Sequence, residues 1–237
     1  MNKEMTHIYT LNSKMYDMIL NDSALLDVLL RFGIPLGFGD KSVEEVCRLH
    51  SVDPKFFLIV ANINSFQSYL PSFKELGLIN VKELVSYLKN SHINYISRRI
   101  TSIEDKLLYL SESVGRADFR LILRFFRSYK AEVIKHFNYE ESMVFPYISS
   151  LLDEQPRVDS YSIEQYEDNH SNIDDKLCDL KNLIIKYLPY GDMAQDDLSA
   201  VNDVLKDIFA FEEDLSKHTR IENKVLIPVV HRIEEGW

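Results

Sequence analysis

One pattern occurs twice in this chain: a histidine, a glutamate four residues later, and a proline six residues after the glutamate. The copies are His136, Glu140 and Pro146, and His218, Glu222 and Pro228. Because positions i and i+4 lie on the same face of a helix, each copy aims an imidazole and a carboxylate in one direction. Two such pairs on facing helices predict a metal site inside a four-helix bundle.

The donor atoms of this pattern restrict which metal fits. Nitrogen and oxygen ligands without sulfur suit iron or manganese better than thiophilic metals. Each glutamate can bridge two cations, and imidazoles can fill the terminal positions. One histidine falls in each of four predicted long helices, at His92, His136, His170 and His218. Such a ligand set leaves open coordination for dioxygen, nitric oxide or peroxide.

Hydrophobic periodicity and turn composition predict an all-α protein. The chain of 237 residues is 46% hydrophobic but has only 7 glycines and 7 prolines, too few for a sandwich or barrel with frequent turns. Helical periodicity covers four long segments, approximately 81–113, 117–152, 162–187 and 193–235. Long helices joined by short loops are typical of an up-and-down four-helix bundle.

A small helical domain is predicted before the bundle. Ser42 is a suitable N-cap for one of its helices, and Asp53-Pro54 begins another. The stretch Tyr69–Gly77 has the composition of a linker. We therefore divide the chain into an N-terminal domain, residues 1–75, and a bundle with a di-metal site, residues 80–237.

Charge and cysteine content exclude several classes of partner and location. With 37 acidic and 27 basic residues the net charge is −10, which opposes binding to nucleic acid and to anionic membranes. Cys47 and Cys178 lie far apart and form no disulfide framework. The chain has no apolar run of about 20 residues and no signal-peptide core at its N-terminus. We expect a cytoplasmic protein with reduced thiols.

These motifs resemble those of a known family. The stretches His136-x-x-x-Glu140-Glu-x-x-Val-Phe-Pro146 and His218-x-x-x-Glu222-Asn-x-Val-Leu-Ile-Pro228, with His170 between them, are similar to the hemerythrin-like di-iron domain. More narrowly, nearly the whole chain resembles the iron–sulfur cluster repair proteins, called repair of iron centres proteins. Those proteins join a small helical domain to a four-helix bundle with a non-heme di-iron centre.

The resemblance implies a ligand set and a cofactor. The implied ligands are His136, Glu140, His170, His218 and Glu222, and His92 is the histidine available on the first bundle helix. The implied cofactor is two non-heme iron ions, with manganese as the alternative metal.

The chain departs from the family in its N-terminal loop. Family members carry a Cys-Cys pair followed by Gly-Gly, whereas this chain has Leu36-Gly-Phe-Gly-Asp-Lys41 and no cysteine in either register. We therefore expect the helical fold of this domain to persist without its thiol chemistry. Cys47, on the next predicted helix, is interpreted as a small core residue.

Three functions follow from these observations. The first is repair of iron–sulfur proteins in nitrosative or oxidative stress, and the second is a sensor or carrier of dioxygen or nitric oxide. The third is a metal-free interaction scaffold, which the complete ligand set makes the weakest.

Three acids are possible orienting partners of the imidazoles or simple surface groups: Glu141, Asp168 and Asp174. Tyr95 and Tyr139 lie near the metals or pack in the core.

Overall fold

The computed structural model describes residues 8–115, 117–153, 161–169, 175–188, 190–191 and 193–236. Within these residues the regular structure is helical, with a single antiparallel bridge between Lys14 and Ser42 and no strand. The prediction of an all-α chain is confirmed. None of the described helices is long and apolar enough to cross a membrane.

The described helices lie between Met15 and Glu234. In order they are α1 (Met15–Asn21), α2 (Leu25–Arg31), α3 (Val43–Leu49), α4 (Pro54–Ser65), α5 (Phe73–Leu76), α6 (Val81–Asn94), α7 (Thr101–Ser113), α8 (Ala117–Tyr139), α9 (Phe145–Leu152), α10 (Ile163–Asn169), α11 (Asp175–Asn182), α12 (Gln195–Ile221) and α13 (Ile227–Glu234). Within the described residues, four segments are π-helical. Tyr95–Ile100 joins α6 to α7, Glu140–Val144 joins α8 to α9, Leu183–Tyr187 follows α11, and Glu222–Leu226 joins α12 to α13.

The described residues group into two compact units. One is drawn from Met1–Ser91, Leu151–Arg157 and Lys217–Trp237, and the other from His92–Ser150 and Val158–Ser216. The proposed domain boundary between residues 75 and 80 stays a prediction.

The first unit is organised by helix caps and an aromatic cluster. Ser42 and Glu45 form a capping box at the start of α3, and the Asp53 carboxylate accepts backbone N–H groups at the start of α4, as the sequence predicts. The ring of Phe32 lies 4.7 Å from Tyr87 and 5.4 Å from Phe56. This cluster packs α2 and α4 against α6.

The segment predicted as a linker contains a helix instead. Ser72 and Glu75 form a second capping box, which starts the short helix α5. Tyr69 is buried and donates a hydrogen bond of 3.0 Å from its hydroxyl to Oε1 of Glu75. The interpretation of Tyr69–Gly77 as linker is therefore wrong, because the local capping pattern outweighs the loop-like composition.

The second unit is a bundle around one apolar core. The buried side chains of this core come from four helical stretches, within 95–110, 119–137, 177–188 and 201–215. Apolar residues recur on one face of each stretch, so the four faces share one interior. This is the packing that the helical periodicity predicts.

Candidate metal centre

The two sequence repeats adopt the same local geometry. Nε2 of His136 lies 3.0 Å from Oε1 of Glu140, and Nε2 of His218 lies 3.0 Å from Oε1 of Glu222. Each pair is one helical turn apart, so its imidazole and carboxylate meet on the same face. Glu140 and Glu222 are almost completely buried, at 0% and 1% exposure.

A π-helical turn begins at each glutamate and ends two residues before each proline, over Glu140–Val144 and Glu222–Leu226. The backbone N–H of Phe145 bonds the carbonyl of Glu140, and that of Ile227 bonds the carbonyl of Glu222. A proline inside a helix lacks a donor and clashes with the carbonyl four residues earlier, and the wider turn relieves this conflict. The spacing between glutamate and proline is therefore a feature of the backbone as well as of the sequence pattern.

His92 lies beside the first repeat and is completely buried. Its Nε2 is 3.1 Å from Oε2 of Glu140, and its ring stacks on Phe137 with centroids 4.0 Å apart. Its other nitrogen, Nδ1, lies 2.9 Å from Oε1 of Glu141, which is half exposed. A carboxylate on the second nitrogen fixes the orientation of an imidazole, which is the role considered for Glu141 in the sequence analysis.

Four of the predicted residues form a compact group. His92, Glu140, His218 and Glu222 are buried, and each offers one ligand atom within 4.8 Å of the others. Two carboxylates at such burial need compensating positive charge, and imidazole nitrogens with carboxylate oxygens are a donor set that iron or manganese accepts. The group therefore fits a metal.

The other two predicted ligands are His136 and His170. His136 contacts Glu140 but does not belong to the compact group of four. His170 lies outside the described residues, as do Asp174 and the side chain of Asp168.

One residue of the site was missed by sequence reasoning. Tyr166 is 1% exposed and donates a hydrogen bond of 2.6 Å from its hydroxyl to Oε1 of Glu140. The available signal was its position four residues before His170, which places both on one helical face in the predicted third helix. Oε1 of Glu140 thus faces His136 and Tyr166, and its Oε2 faces His92.

The two tyrosines considered near the metals have partners elsewhere. Tyr95 donates a hydrogen bond of 3.2 Å to the carbonyl of Asp214 and packs in the apolar core. The hydroxyl of Tyr139 lies 3.0 Å from that of Tyr161. Burial, followed by this hydrogen bond, raises the pKa of Tyr161.

The thiol of Cys47, on the N-terminal helix α3, is unsuited to metal or nitrosyl chemistry. Cys47 is completely buried on α3, and burial raises the pKa of its thiol to about 12, with Asp53 adding to the effect. A thiol is a nucleophile or ligand only as the thiolate, so Cys47 is inert at neutral pH. Its interpretation as a core residue is confirmed.

A helical bundle that encloses a cluster of histidine and glutamate side chains is the architecture of a class of cation-binding proteins. Within that class, the hemerythrin HHE cation-binding domain matches residues 96–230, and the chain belongs to this family. The matched region contains both His-x-x-x-Glu pairs and begins four residues after His92. No curated protein matches the chain.

Proposed function

We propose that the chain is a non-heme di-iron protein whose ligands are His92, His136, Glu140, His170, His218 and Glu222. The observation that carries the proposal is the group of four buried His and Glu side chains with ligand atoms within 4.8 Å. Membership of the hemerythrin HHE family supports it from the sequence. Bound iron would supply reversible redox chemistry and open coordination for dioxygen or nitric oxide.

The surroundings of Glu140 support a bridging role for its carboxylate. Oε1 faces His136 and Tyr166, whereas Oε2 faces His92. A carboxylate whose two oxygens face different imidazoles can hold two cations at once. The Tyr166 hydroxyl and the Glu141 carboxylate then hold Glu140 and His92 in place.

For the biological role we propose a response to nitrosative or oxidative stress, with repair of a damaged iron–sulfur protein as the activity. The motif resemblance to iron–sulfur cluster repair proteins and the helices that precede the bundle support this role. The client would be an iron–sulfur protein in the cytoplasm, and the small ligand would be nitric oxide or dioxygen.

A second role, sensing or carrying dioxygen or nitric oxide, is favoured because the N-terminal helices offer no reactive thiol. The loop Leu36–Lys41 has no cysteine, and the nearby Cys47 is buried with a pKa of about 12. Repair that uses a thiolate of these helices would have none at neutral pH. A metal-free scaffold is the weakest role, because burying two carboxylates is costly when no cation compensates them.

The test begins with metal analysis of protein purified without oxygen from iron-replete cells. We expect close to two irons per chain, and a chain without metal would overturn the di-iron proposal. The holo-protein is then added to a nitric-oxide-damaged iron–sulfur dehydratase, with a Glu140→Ala/Glu222→Ala double variant as the metal-free control. Recovery above this control supports repair.

Spectroscopy under controlled gases separates the second role from the first. A reversible absorption change with dioxygen or nitric oxide, without recovery of the damaged dehydratase, supports sensing and contradicts repair. An absorption spectrum unchanged under both gases contradicts sensing.

A further inference from the structure

Arg220 lies midway between the two proposed ligands of the second repeat. It follows His218 by two residues and precedes Glu222 by two. Two residues turn a helix by about 200°, so Arg220 projects from the face opposite to His218 and Glu222. A side chain at this position can hold the ligand-bearing turn from behind without touching the metal.

The guanidinium of Arg220 binds three backbone carbonyls, one in the last turn of α4 and two in the segment that follows this helix. Nη1 donates to the carbonyl of Ile63 at 2.9 Å, and Nη2 donates to those of Gln67 at 3.0 Å and Tyr69 at 3.2 Å. Ile63 belongs to the last turn of α4, where carbonyls have no partner within the helix. A cation at that end also complements the negative end of the helix dipole.

A second attachment of the same kind lies on α6. Nδ2 of Asn90 donates a hydrogen bond of 2.9 Å to the carbonyl of Arg31, the last residue of α2. Asn90 precedes His92 by two residues, as Arg220 precedes Glu222. The N-terminal helices are thus bound, through backbone carbonyls, to two segments that carry proposed ligands.

We propose that Arg220 is a positioning residue, which fixes the His218–Glu222 turn by binding the end of α4. Through this contact, the N-terminal helices control how tightly the protein holds its metal. This inference rests on the proposed di-iron function. It assigns the N-terminal helices a task that needs no cysteine, which the loop Leu36–Lys41 lacks.

The test measures release of iron from the holo-protein to a ferrous chelator. In Arg220→Ala we expect release to accelerate about tenfold, the size of effect seen when a partner that orients a metal ligand is removed. Arg220→Lys should release iron at a rate between those of Arg220→Ala and the wild type, because one ammonium group cannot replace a planar guanidinium that reaches three carbonyls. The visible absorption of the bound iron should shift in Arg220→Ala, since the ligand geometry relaxes.

Arg232 provides a matched control. Its Nη1 donates a hydrogen bond of 3.1 Å to the carbonyl of Phe73, so it also links the C-terminal segment to the N-terminal helices. It lies ten residues beyond Glu222, away from the proposed ligands. Arg232→Ala should release iron at the wild-type rate, with an unchanged absorption spectrum.

The outcomes separate this inference from the function on which it rests. A wild-type chain that binds no iron overturns both. If the wild type binds iron but Arg220→Ala releases it at the wild-type rate, the inference alone is overturned. The same holds if Arg220→Ala and Arg232→Ala accelerate iron release equally. If Arg220→Ala does not fold, Arg220→Lys and Asn90→Ala decide by the same readout, and wild-type release from both overturns the inference.

Discussion

The hydroxyl of Tyr166 donates a hydrogen bond of 2.6 Å to Oε1 of Glu140, and both side chains are completely enclosed. A short bond to an ionised carboxylate is stronger than one between neutral groups. It holds Glu140 with Oε2 turned toward His92. Tyr166 therefore orients a proposed metal ligand without being a ligand itself.

Tyr166→Phe should weaken metal binding. The ring and its packing remain, but the bond that orients Glu140 is lost, so we expect the affinity for iron to fall about tenfold. Competition with a chelator of known affinity measures the change. Tyr139→Phe is the control, because it removes a hydroxyl that pairs with Tyr161 instead of Glu140. Equal affinities for wild type and Tyr166→Phe would show that the bond does not orient the ligand.

Glu140→Ala and Glu222→Ala should each lose metal. A missing bridging carboxylate leaves two neighbouring cations poorly compensated, so we expect less than one iron per chain where the wild type holds about two. Elemental analysis measures the loss. Glu132→Ala, which removes an exposed acid of α8 paired with Lys176, should keep the wild-type content. Full metal content in both bridging variants would refute the ligand assignment.

His92→Gln should reduce the iron content toward one ion per chain. Glutamine roughly keeps the volume that packs on Phe137 but removes the nitrogen that faces Glu140. Metal analysis of protein purified without oxygen gives the number. His231→Gln is the control, since this half-exposed side chain pairs loosely with Glu234 at 3.6 Å. An unchanged content in His92→Gln would remove His92 from the ligand set, in keeping with its place before the matched family region.

Thiol labelling should distinguish the two cysteines. Cys178 is exposed and should react with a disulfide reagent in the native protein. Cys47 is buried, and its pKa of about 12 leaves almost no thiolate at pH 7. We expect a Cys178→Ser variant to react only after denaturant is added. Rapid labelling of the native Cys178→Ser variant would restore a thiol role to the N-terminal helices.

Stability should depend on pH through Glu104, which links α7 to α8. Its carboxylate accepts hydrogen bonds of 2.7 Å from Lys130 and from Arg127, and these bonds lower its pKa. A lowered pKa in the folded state stabilises the fold above the unfolded value and loses that effect as pH falls through the folded value.

We therefore expect Glu104→Gln to reduce the free energy of unfolding at pH 7 by about 1 kcal/mol or less, as for a partly exposed ion pair. The difference between variant and wild type should vanish in strongly acidic buffer. Denaturant titrations at the two pH values measure it, with Asp203→Asn as a control for an exposed pair within one helix. A difference that grows on acidification would contradict the assignment.

Local patterns in the sequence predict the parts of this molecule that depend on one helix. The His136–Glu140 and His218–Glu222 contacts follow from the helical period alone, and so does the all-α fold. The capping box of α5 was equally local, at Ser72 and Glu75, but its loop-like surroundings hid it.

Contacts between helices depend on packing, and their partners were not predictable; for Tyr166, the spacing before His170 indicates only a shared helical face. Tyr166 reaches Glu140 from a different helix, and Arg220 reaches carbonyls more than 150 residues away. No local pattern encodes which residues meet across such a distance. For Glu141 the sequence offered two roles, and only the packing of α6 beside the first repeat places it on His92.

The wide turn between each glutamate and its proline makes the length of this stretch more critical than its composition. The interval holds one residue more than a regular helical path would need, because its bond spans five residues instead of four. Deleting a single residue from 141–145 would remove the wide turn and bring the proline back into a regular helical path, where its ring opposes the carbonyl four residues earlier. Most substitutions there leave the backbone path intact, so gaps in this interval, more than changes of residue type, should distinguish chains that have lost the metal.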